Sequence, residues 1–258
     1  MSTKDSKRSN REALAAERER QRTADKRKQR TINIVIAVVV AIAVVGIFVA
    51  VQASRSKGPS DAALPPGVSD SGGPLVFGDG PVTVDVYEDF QCPHCKEFES
   101  VNGAYLKKAA EDNDITLNIH PVTFLDDNLQ NTSSKLASNA FACSYSSGQK
   151  QALDFHTTIY ENQPEENPGS EAWDNATLIG WAGQNGVSGS DFESCVNDGK
   201  YNGWTDQVTA SMVTNNVTGT PTIFIDGKAQ TNLDWTDAKA LPAAIEAASG
   251  ASPSPSAS

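Results

Sequence analysis

Two cysteines separated by two residues, Cys92-Pro93-His94-Cys95, stand where a strand pattern gives way to a helix pattern. No other feature constrains the fold of this chain as strongly. Upstream, Val82, Val84 and Val86 alternate with Thr83, Asp85 and Tyr87, the two-residue period of a half-buried strand. Downstream, Cys95, Phe98, Val101 and Tyr105 recur at helical spacing and predict one apolar face, with Asn113-Asp114 as the stop. Pro93 suits the first helical position, where its missing N–H removes no bond the helix would use. A cysteine just before such a helix meets unpaired N–H groups and the positive end of the helix dipole, and both favour a thiolate. Cys92 is therefore the expected nucleophile, and His94 can add a cation or a donor near its sulfur. Cys95 lies one turn in, on the apolar side. The pattern predicts an exposed attacking thiol and a buried thiol that resolves a mixed disulfide.

Other chemistries fit the pair less well. Zinc needs four ligands; the other strong candidates are His94, His120, His156, Cys143 and Cys195, and no second close pair is present, so no metal is expected. Covalent haem requires His directly after the second cysteine, where Lys96 stands. A purely structural disulfide at a helix start is the remaining alternative. His120 and His156 read as core or surface polar residues rather than ligands. Glu88 and Asp89 read either as proton relays to Cys95 or as solvated acids at a strand end.

The folded part is expected over about 75–249. Leu75-Val76-Phe77 is a short strand candidate closed by Gly78-Asp79-Gly80, and Ile115 to Phe124 predicts a second longer strand. From about 128 to 213 the texture is helical: Leu136, Ala140 and Cys143, then Leu153, His156 and Ile159, then Leu178, Trp181 and Ala182, then Phe192 and Cys195. Thr222 to Ile225 is strand-like, Asp226-Gly227 signals a hairpin, and Thr236 to Ala248 predicts the last helix. That order indicates an α/β domain carrying a helical insertion.

Charge divides the chain. Residues 1–31 carry 11 Lys/Arg and 5 Asp/Glu, a net of +6, and the remainder carries 10 and 27, a net of −17. So acidic a body repels phosphate backbones and argues against nucleic acid as a partner. Between the blocks, Ile34 to Val51 is uninterruptedly apolar or Gly, and the stretch 32–51 approaches the ~20 residues that span a bilayer. The basic leader places the N-terminus in the cytoplasm and the body outside. The same run could instead be a cleaved signal peptide, since Val51-Gln52-Ala53 resembles a cleavage site. It exceeds the usual signal core of about 7–15 apolar residues, which favours an anchor. Both readings deliver the body to a compartment where disulfides persist. The segment 52–74 reads as a linker, and 250–258 as a disordered Ser/Pro/Ala tail.

Tyr87-Glu88-Asp89-Phe90-Gln91-Cys92-Pro93-His94-Cys95 resembles the active-site segment of the DsbA-like thiol:disulfide oxidoreductases, a branch of the thioredoxin fold. Gly219-Thr220-Pro221-Thr222 resembles the cis-proline loop that faces the cysteine pair in that family. Cys92 and Pro221 lie much farther apart than in a bare thioredoxin, and the inserted helical domain of the DsbA-like branch explains the separation. A membrane-anchored form with an extra disulfide is most similar to actinobacterial members. The resemblance implies Cys92 as nucleophile, Cys95 as resolving thiol, and Pro93 and His94 as tuners of thiolate stability. It also implies a cis Pro221, with the Thr220 backbone pairing with substrate as an added strand. It implies oxidation of cysteines in unfolded exported proteins, recycling by a membrane oxidase (DsbB-like or vitamin K epoxide reductase-like), and no cofactor. Cys143 and Cys195 are either two buried thiols or a structural disulfide. Outside the membrane an unpaired thiol is a liability, and pairing these two leaves the reactive pair intact.

Overall fold

The computed structural model describes residues 62–165 and 168–250. The basic leader 1–31, the apolar run 32–51, the first part of the linker and the tail 251–258 lie outside the described residues. Among the described residues no helix is long and apolar enough to cross a membrane.

Strand β1 (Leu75–Phe77) is followed by β2 (Val82–Glu88), helix α1 (Pro93–Glu111) and β3 (Ile115–Pro121). Six helices then intervene: α2 (Phe124–Leu129), α3 (Ser133–Ser144), α4 (Gln149–Glu161), α5 (Asn175–Gln184), α6 (Ser190–Asn197) and α7 (Asn202–Thr214). The chain returns through β4 (Thr222–Ile225), β5 (Lys228–Ala229) and α8 (Ala240–Ala248). The sheet order is β1-β3-β2-β4-β5. β2 and β3 run parallel from Val82↔Ile115 to Glu88↔Pro121, so a crossover must join them, and α1 is that crossover. The other neighbours are antiparallel. This is an α/β sheet with a helical block inserted between β3 and β4, the architecture that the resemblance implies.

Local chemistry accounts for the joints. Asn113 adopts a φ of 59° just past α1, the left-handed position at which many helices stop. Gly80 is required where its strand entry passes the α1–β3 corner: a Cβ there would lie 2.3 Å from the Ile115 nitrogen. Asp226 and Gly227 both have positive φ, 47° and 73°, as a two-residue hairpin between twisted strands demands.

Three expectations need correction. The strand expected over Ile115–Phe124 ends at Pro121, and Phe124 opens α2, whose first turn carries Asp126 and Asp127 at the positive end of the helix dipole. The last helix begins at Ala240 rather than Thr236. Asp234 Oδ1 accepts from the Thr236 amide and hydroxyl, and Asp237 Oδ1 accepts from the Lys239 amide, which holds this stretch in turns. The inner face of α1 is Cys95, Phe98, Asn102, Leu106, Ala109 and Ala110, whereas Tyr105 is exposed and Val101 half-buried. A buried amide broke the apolar pattern: Asn102 Nδ2 donates to the carbonyls of Phe98 (3.1 Å) and Trp235 (2.8 Å).

The helical block is organised about α3. Ten of its residues are buried, most of them Ser or Ala, and it packs against α4, α5, α6 and α7. Small side chains on every face let four helices approach one axis. Trp204 of α7 is fully buried and donates from Nε1 to the Gly73 carbonyl at 3.0 Å, which ties the block to the segment before β1.

Candidate active site

β2 delivers the chain to the site, and a buried polar frame fixes the turn that follows. Asp89 Oδ1 accepts from the Gln91 amide (2.9 Å) and the Ser134 hydroxyl (2.5 Å), and Oδ2 accepts from the Leu125 amide (3.1 Å). The Gln91 side-chain amide donates to Asp126 Oδ1, Asn131 Oδ1 and Ser134 Oγ at 2.8–3.0 Å. From the segment after α4, Gln163 Nε2 donates to the carbonyls of Phe90 (2.7 Å) and Cys92 (3.0 Å). The Gln163 carbonyl in turn accepts from Lys96 Nζ at 2.8 Å. The reactive turn is thus bonded to α2, α3 and the end of α4, all parts of the helical block. Burial pushes the Asp89 carboxyl up to about 7, although its hydrogen bonds work the other way.

Cys92 is the N-cap of α1 and Pro93 its first residue. Cys92 and Cys95 are both free thiols. Cys92 is not the open nucleophile the sequence suggested: its exposure is 6 %, against 0 % for Cys95. What covers it is the loop of Thr220-Pro221, whose peptide bond is cis. Cys92 Sγ lies 3.5 Å from the Thr220 carbonyl oxygen, within sulfur hydrogen-bond range.

The Cys92 thiol is pulled down to about 6. The largest cause is the Cys95 thiol, which donates to it; burial opposes, and the backbone N–H groups of Cys95 and His94 add further donors. Cys95 is pushed well above the ordinary thiol range, first by burial and then by the neighbouring Cys92 sulfur. One proton therefore sits on Cys95 while Cys92 is the thiolate, the division of labour that thiol exchange needs. His94 serves the sulfur through its backbone amide. Its ring points outward, 74 % exposed, with Nδ1 3.8 Å from Glu97.

Beneath the pair lies a second buried group that the sequence did not assemble. Glu88 Oε1 meets His156 Nε2 at 2.5 Å, and His156 Nδ1 faces Glu99 Oε2 at 3.8 Å. Burial pushes Glu99 up to about 8, aided by the Glu88 charge. Burial also disfavours the His156 cation, but the two carboxylates more than offset it and raise the imidazole. Elsewhere, His120 bonds Asp85 at 2.9 Å and stacks on Tyr87, so it is a core polar residue. Cys143 of α3 and Cys195 of α6 form a disulfide within the helical block.

Gln91, Asp126, Asn131, Ser134 and Gln163 were missed as site residues. For Asp126, Asn131 and Ser134 the sequence signal is the density of Asn, Ser and Asp at 126–134, which equally describes helix starts, and Gln91 and Gln163 carry no signal of their own.

A strand leading to a helix that opens on a free cysteine pair, faced by a cis-proline loop, defines a thiol–disulfide oxidoreductase. A family model described as Thioredoxin matches residues 72–246, and the chain belongs to that family. Among solved structures it is similar to the disulfide bond oxidoreductase DsbG of Mycobacterium tuberculosis in reduced form. The two share 29 % identity over 75 % of this chain and 86 % of that one, with a TM-score of 0.57. The oxidised DsbA of Mycobacterium tuberculosis also shares 29 % identity, over 75 % of this chain and 91 % of that one, at a TM-score of 0.57. BdbD of Bacillus subtilis shares 25 % over 73 % and 98 %, at 0.54. These neighbours are DsbA-like oxidoreductases. No curated protein sequence matches the chain.

Proposed function

We propose that the protein is a dithiol oxidase that introduces disulfides into cysteine-bearing proteins outside the cytoplasmic membrane. The observation that carries this reading is the placement of the Cys92 sulfur at the N-cap of α1, where the Cys95 thiol and the first amides of the helix donate to it and hold it near a pKa of 6. Those donors stabilise the reduced form, and a stabilised dithiol makes its own disulfide a stronger oxidant.

The reaction balances in two exchanges. A substrate thiolate attacks Cys92 Sγ of the Cys92–Cys95 disulfide, the S–S bond breaks, and Cys95 leaves with the electron pair and takes a proton. A second substrate thiolate then attacks the substrate sulfur of the mixed disulfide, and Cys92 leaves as a stable thiolate. The substrate loses two electrons and the enzyme gains them; a membrane oxidase, DsbB-like or vitamin K epoxide reductase-like, returns the enzyme pair to the disulfide. The Thr220 carbonyl beside Cys92 Sγ offers an extended substrate segment a backbone partner next to the sulfur.

Placement outside the membrane, by a single anchor over 32–51 with the N-terminus in the cytoplasm, is supported by the basic leader and apolar run. The Cys143–Cys195 disulfide agrees with an oxidising compartment.

Equilibration of the full chain with glutathione tests the oxidase reading. The Cys92–Cys95 potential should lie at about −180 mV or higher, in the range of oxidising and isomerising enzymes. A value near the roughly −270 mV of thioredoxin would make the protein a reductase instead.

A further inference from the structure

We propose that Tyr87 is a positioning residue for peptide substrates: its hydroxyl, bonded to Asn215, holds the cis-proline loop where the Thr220 carbonyl can pair with an incoming chain. The inference rests on the substrate-pairing role given to that carbonyl above.

The loop joins the end of α7 to the start of β4 over residues 215–221, and it has few anchors of its own. Val217 alone among these residues is buried, and its amide donates to the Met212 carbonyl at 2.8 Å. Asn215, Asn216 and Thr218 are exposed, and Asn216 turns through a φ of 54°. Thr222 Oγ1 donates to the Gly219 carbonyl at 2.7 Å, a bond that shapes the loop without tying it to the rest of the sheet. A Cβ on Gly219 would meet nothing within 4 Å, so the loop has no packing support at that point.

Tyr87 grips the loop at both ends. In the sheet it stands directly opposite Thr222, the residue after Pro221. Its side chain reaches the other end, where Asn215 Nδ2 donates to the phenol oxygen at 2.8 Å. Ser211, one turn earlier on α7, is a second hydrogen-bond partner of the same hydroxyl. The ring that carries the hydroxyl is itself fixed. It is 3 % exposed, lies on the His120 ring with centroids 4.0 Å apart and planes within 10°, and meets Phe224 edge-on. His120 Nε2 bonds Asp85 Oδ1 at 2.9 Å, and Asn118 Nδ2 donates to the same oxygen at 3.0 Å. The hydroxyl therefore belongs to the frame of β2 and β3, and the loop is hung from it. Because β2 also leads directly to Cys92, one strand sets both the sulfur and the carbonyl that lies 3.5 Å from it.

This arrangement separates two kinds of partner. An extended peptide reads the Thr220 carbonyl through its own backbone N–H as well as meeting the sulfur. Dithiothreitol has no amide and meets the sulfur alone. The groups that lower the Cys92 thiol are the Cys95 thiol and the first amides of α1, and Tyr87 is not among them. Loss of the hydroxyl should thus weaken pairing with a peptide and leave the chemistry of the sulfur as it was. A hydroxyl that only completed the packing of the sheet would affect both partners equally or neither.

The test measures the second-order rate constants with which a cysteine-bearing peptide and dithiothreitol reduce the Cys92–Cys95 disulfide of the full chain. Tyr87→Phe keeps the ring on His120 and removes only the hydroxyl; Asn215→Ala removes the same bond from an exposed position. Each should lower the ratio of the peptide constant to the dithiothreitol constant by about twofold to tenfold, the worth of one neutral hydrogen bond. The two changes remove one interaction, so the double variant should fall no further than either single variant. An unchanged ratio in both single variants would overturn the proposal. So would equal slowing of peptide and dithiothreitol, a double variant whose deficit is the product of the two single ones, or a shift in the pH midpoint of Cys92 alkylation, which would route the effect through the sulfur. The ratio does not depend on the direction of exchange: a disulfide-bearing peptide and the reduced chain should give the same loss. A glutathione potential in the reductase range would end the oxidase reading and leave this one standing, so the two failures are distinguishable.

Discussion

The low pKa of Cys92 has a main source that a single substitution can remove. The Cys95 thiol donates to the Cys92 sulfur and is the largest of the influences that bring it to about 6. A hydrogen bond to a charged group contributes about 1.5–3 kcal/mol. At 1.36 kcal/mol per pH unit, that corresponds to roughly one to two units. Cys95→Ala leaves the α1 amides and Thr220 in place, so the Cys92 midpoint should rise to about 7–8 rather than to the free-thiol value of about 8.5. Cys95→Ser, whose hydroxyl still donates, should stay closer to the wild type. The assay is thiolate ultraviolet absorbance against pH, checked by the rate of iodoacetamide alkylation, with Cys143–Cys195 kept closed. A Cys95→Ala midpoint that stays near 6 would refute the reasoning and assign the whole effect to the helix start.

Four further outcomes are expected. The Cys92 pKa is lower folded than unfolded, so the thiolate contribution is fully present above about 8.5 and is lost as pH falls through about 6. The reduced form should therefore exceed the oxidised form in stability by up to roughly 3 kcal/mol at alkaline pH, since a bridge across two residues closes too small a loop to compensate. Denaturant midpoints at neutral and acid pH should show that gap narrowing in acid, and a more stable oxidised form at neutral pH would contradict it. Glu99 has a raised pKa, about 8, so its contribution is present in acid and lost as pH rises through that value. Glu99→Gln should flatten the fall in the urea midpoint between about pH 4 and pH 8, the interval between the unfolded and folded values, and an unchanged slope would count against the buried posture. Gln163→Ala leaves the Phe90 and Cys92 carbonyls without their side-chain donor and should cost about 2 kcal/mol in chemical unfolding. Replacing Cys143 and Cys195 together by Ala should cost up to about 4 kcal/mol while leaving the alkylation rate of Cys92 intact, and a parallel loss of that rate would show the bridge shaping the site.

What the sequence made legible was whatever depends on neighbours in the chain. The strand alternation of Val82–Val86, the helix start at Pro93 and the Asp226-Gly227 hairpin are local, and each stands where the pattern put it. The cis-proline loop was found through a family likeness, since its own four residues signal no more than a turn. The inner face of α1 was misread because the buried amide of Asn102 is satisfied by the Trp235 carbonyl, a partner far along the chain. For the same reason Gln91, Asp126, Asn131 and Ser134 gave no sign of a site and Asp89 read as a relay or a solvated acid, although the fold gathers them into one network. Glu99 stands one turn beyond Cys95 and could have been placed on the inner face. Only tertiary packing brings His156 of α4 to it.

The surroundings of the Cys92 sulfur come from two places far apart in the sequence, the start of α1, which donates to it, and the Thr220 carbonyl, which lies 3.5 Å away, with the helical block between them. While the chain is still emerging, Cys92 and Cys95 precede Cys143, Cys195 and the loop that covers the first sulfur. In an unfolded chain Cys92 is an ordinary thiol, mostly protonated at neutral pH and a slow partner in exchange. The groups that lower it, the Cys95 thiol and the first amides of α1, are local to the pair and act once that helix has formed, whereas the cis-proline loop beside the sulfur is supplied by the last third of the domain. The reactivity of the sulfur and the surface that meets its partners are thus contributed by separate parts of the chain.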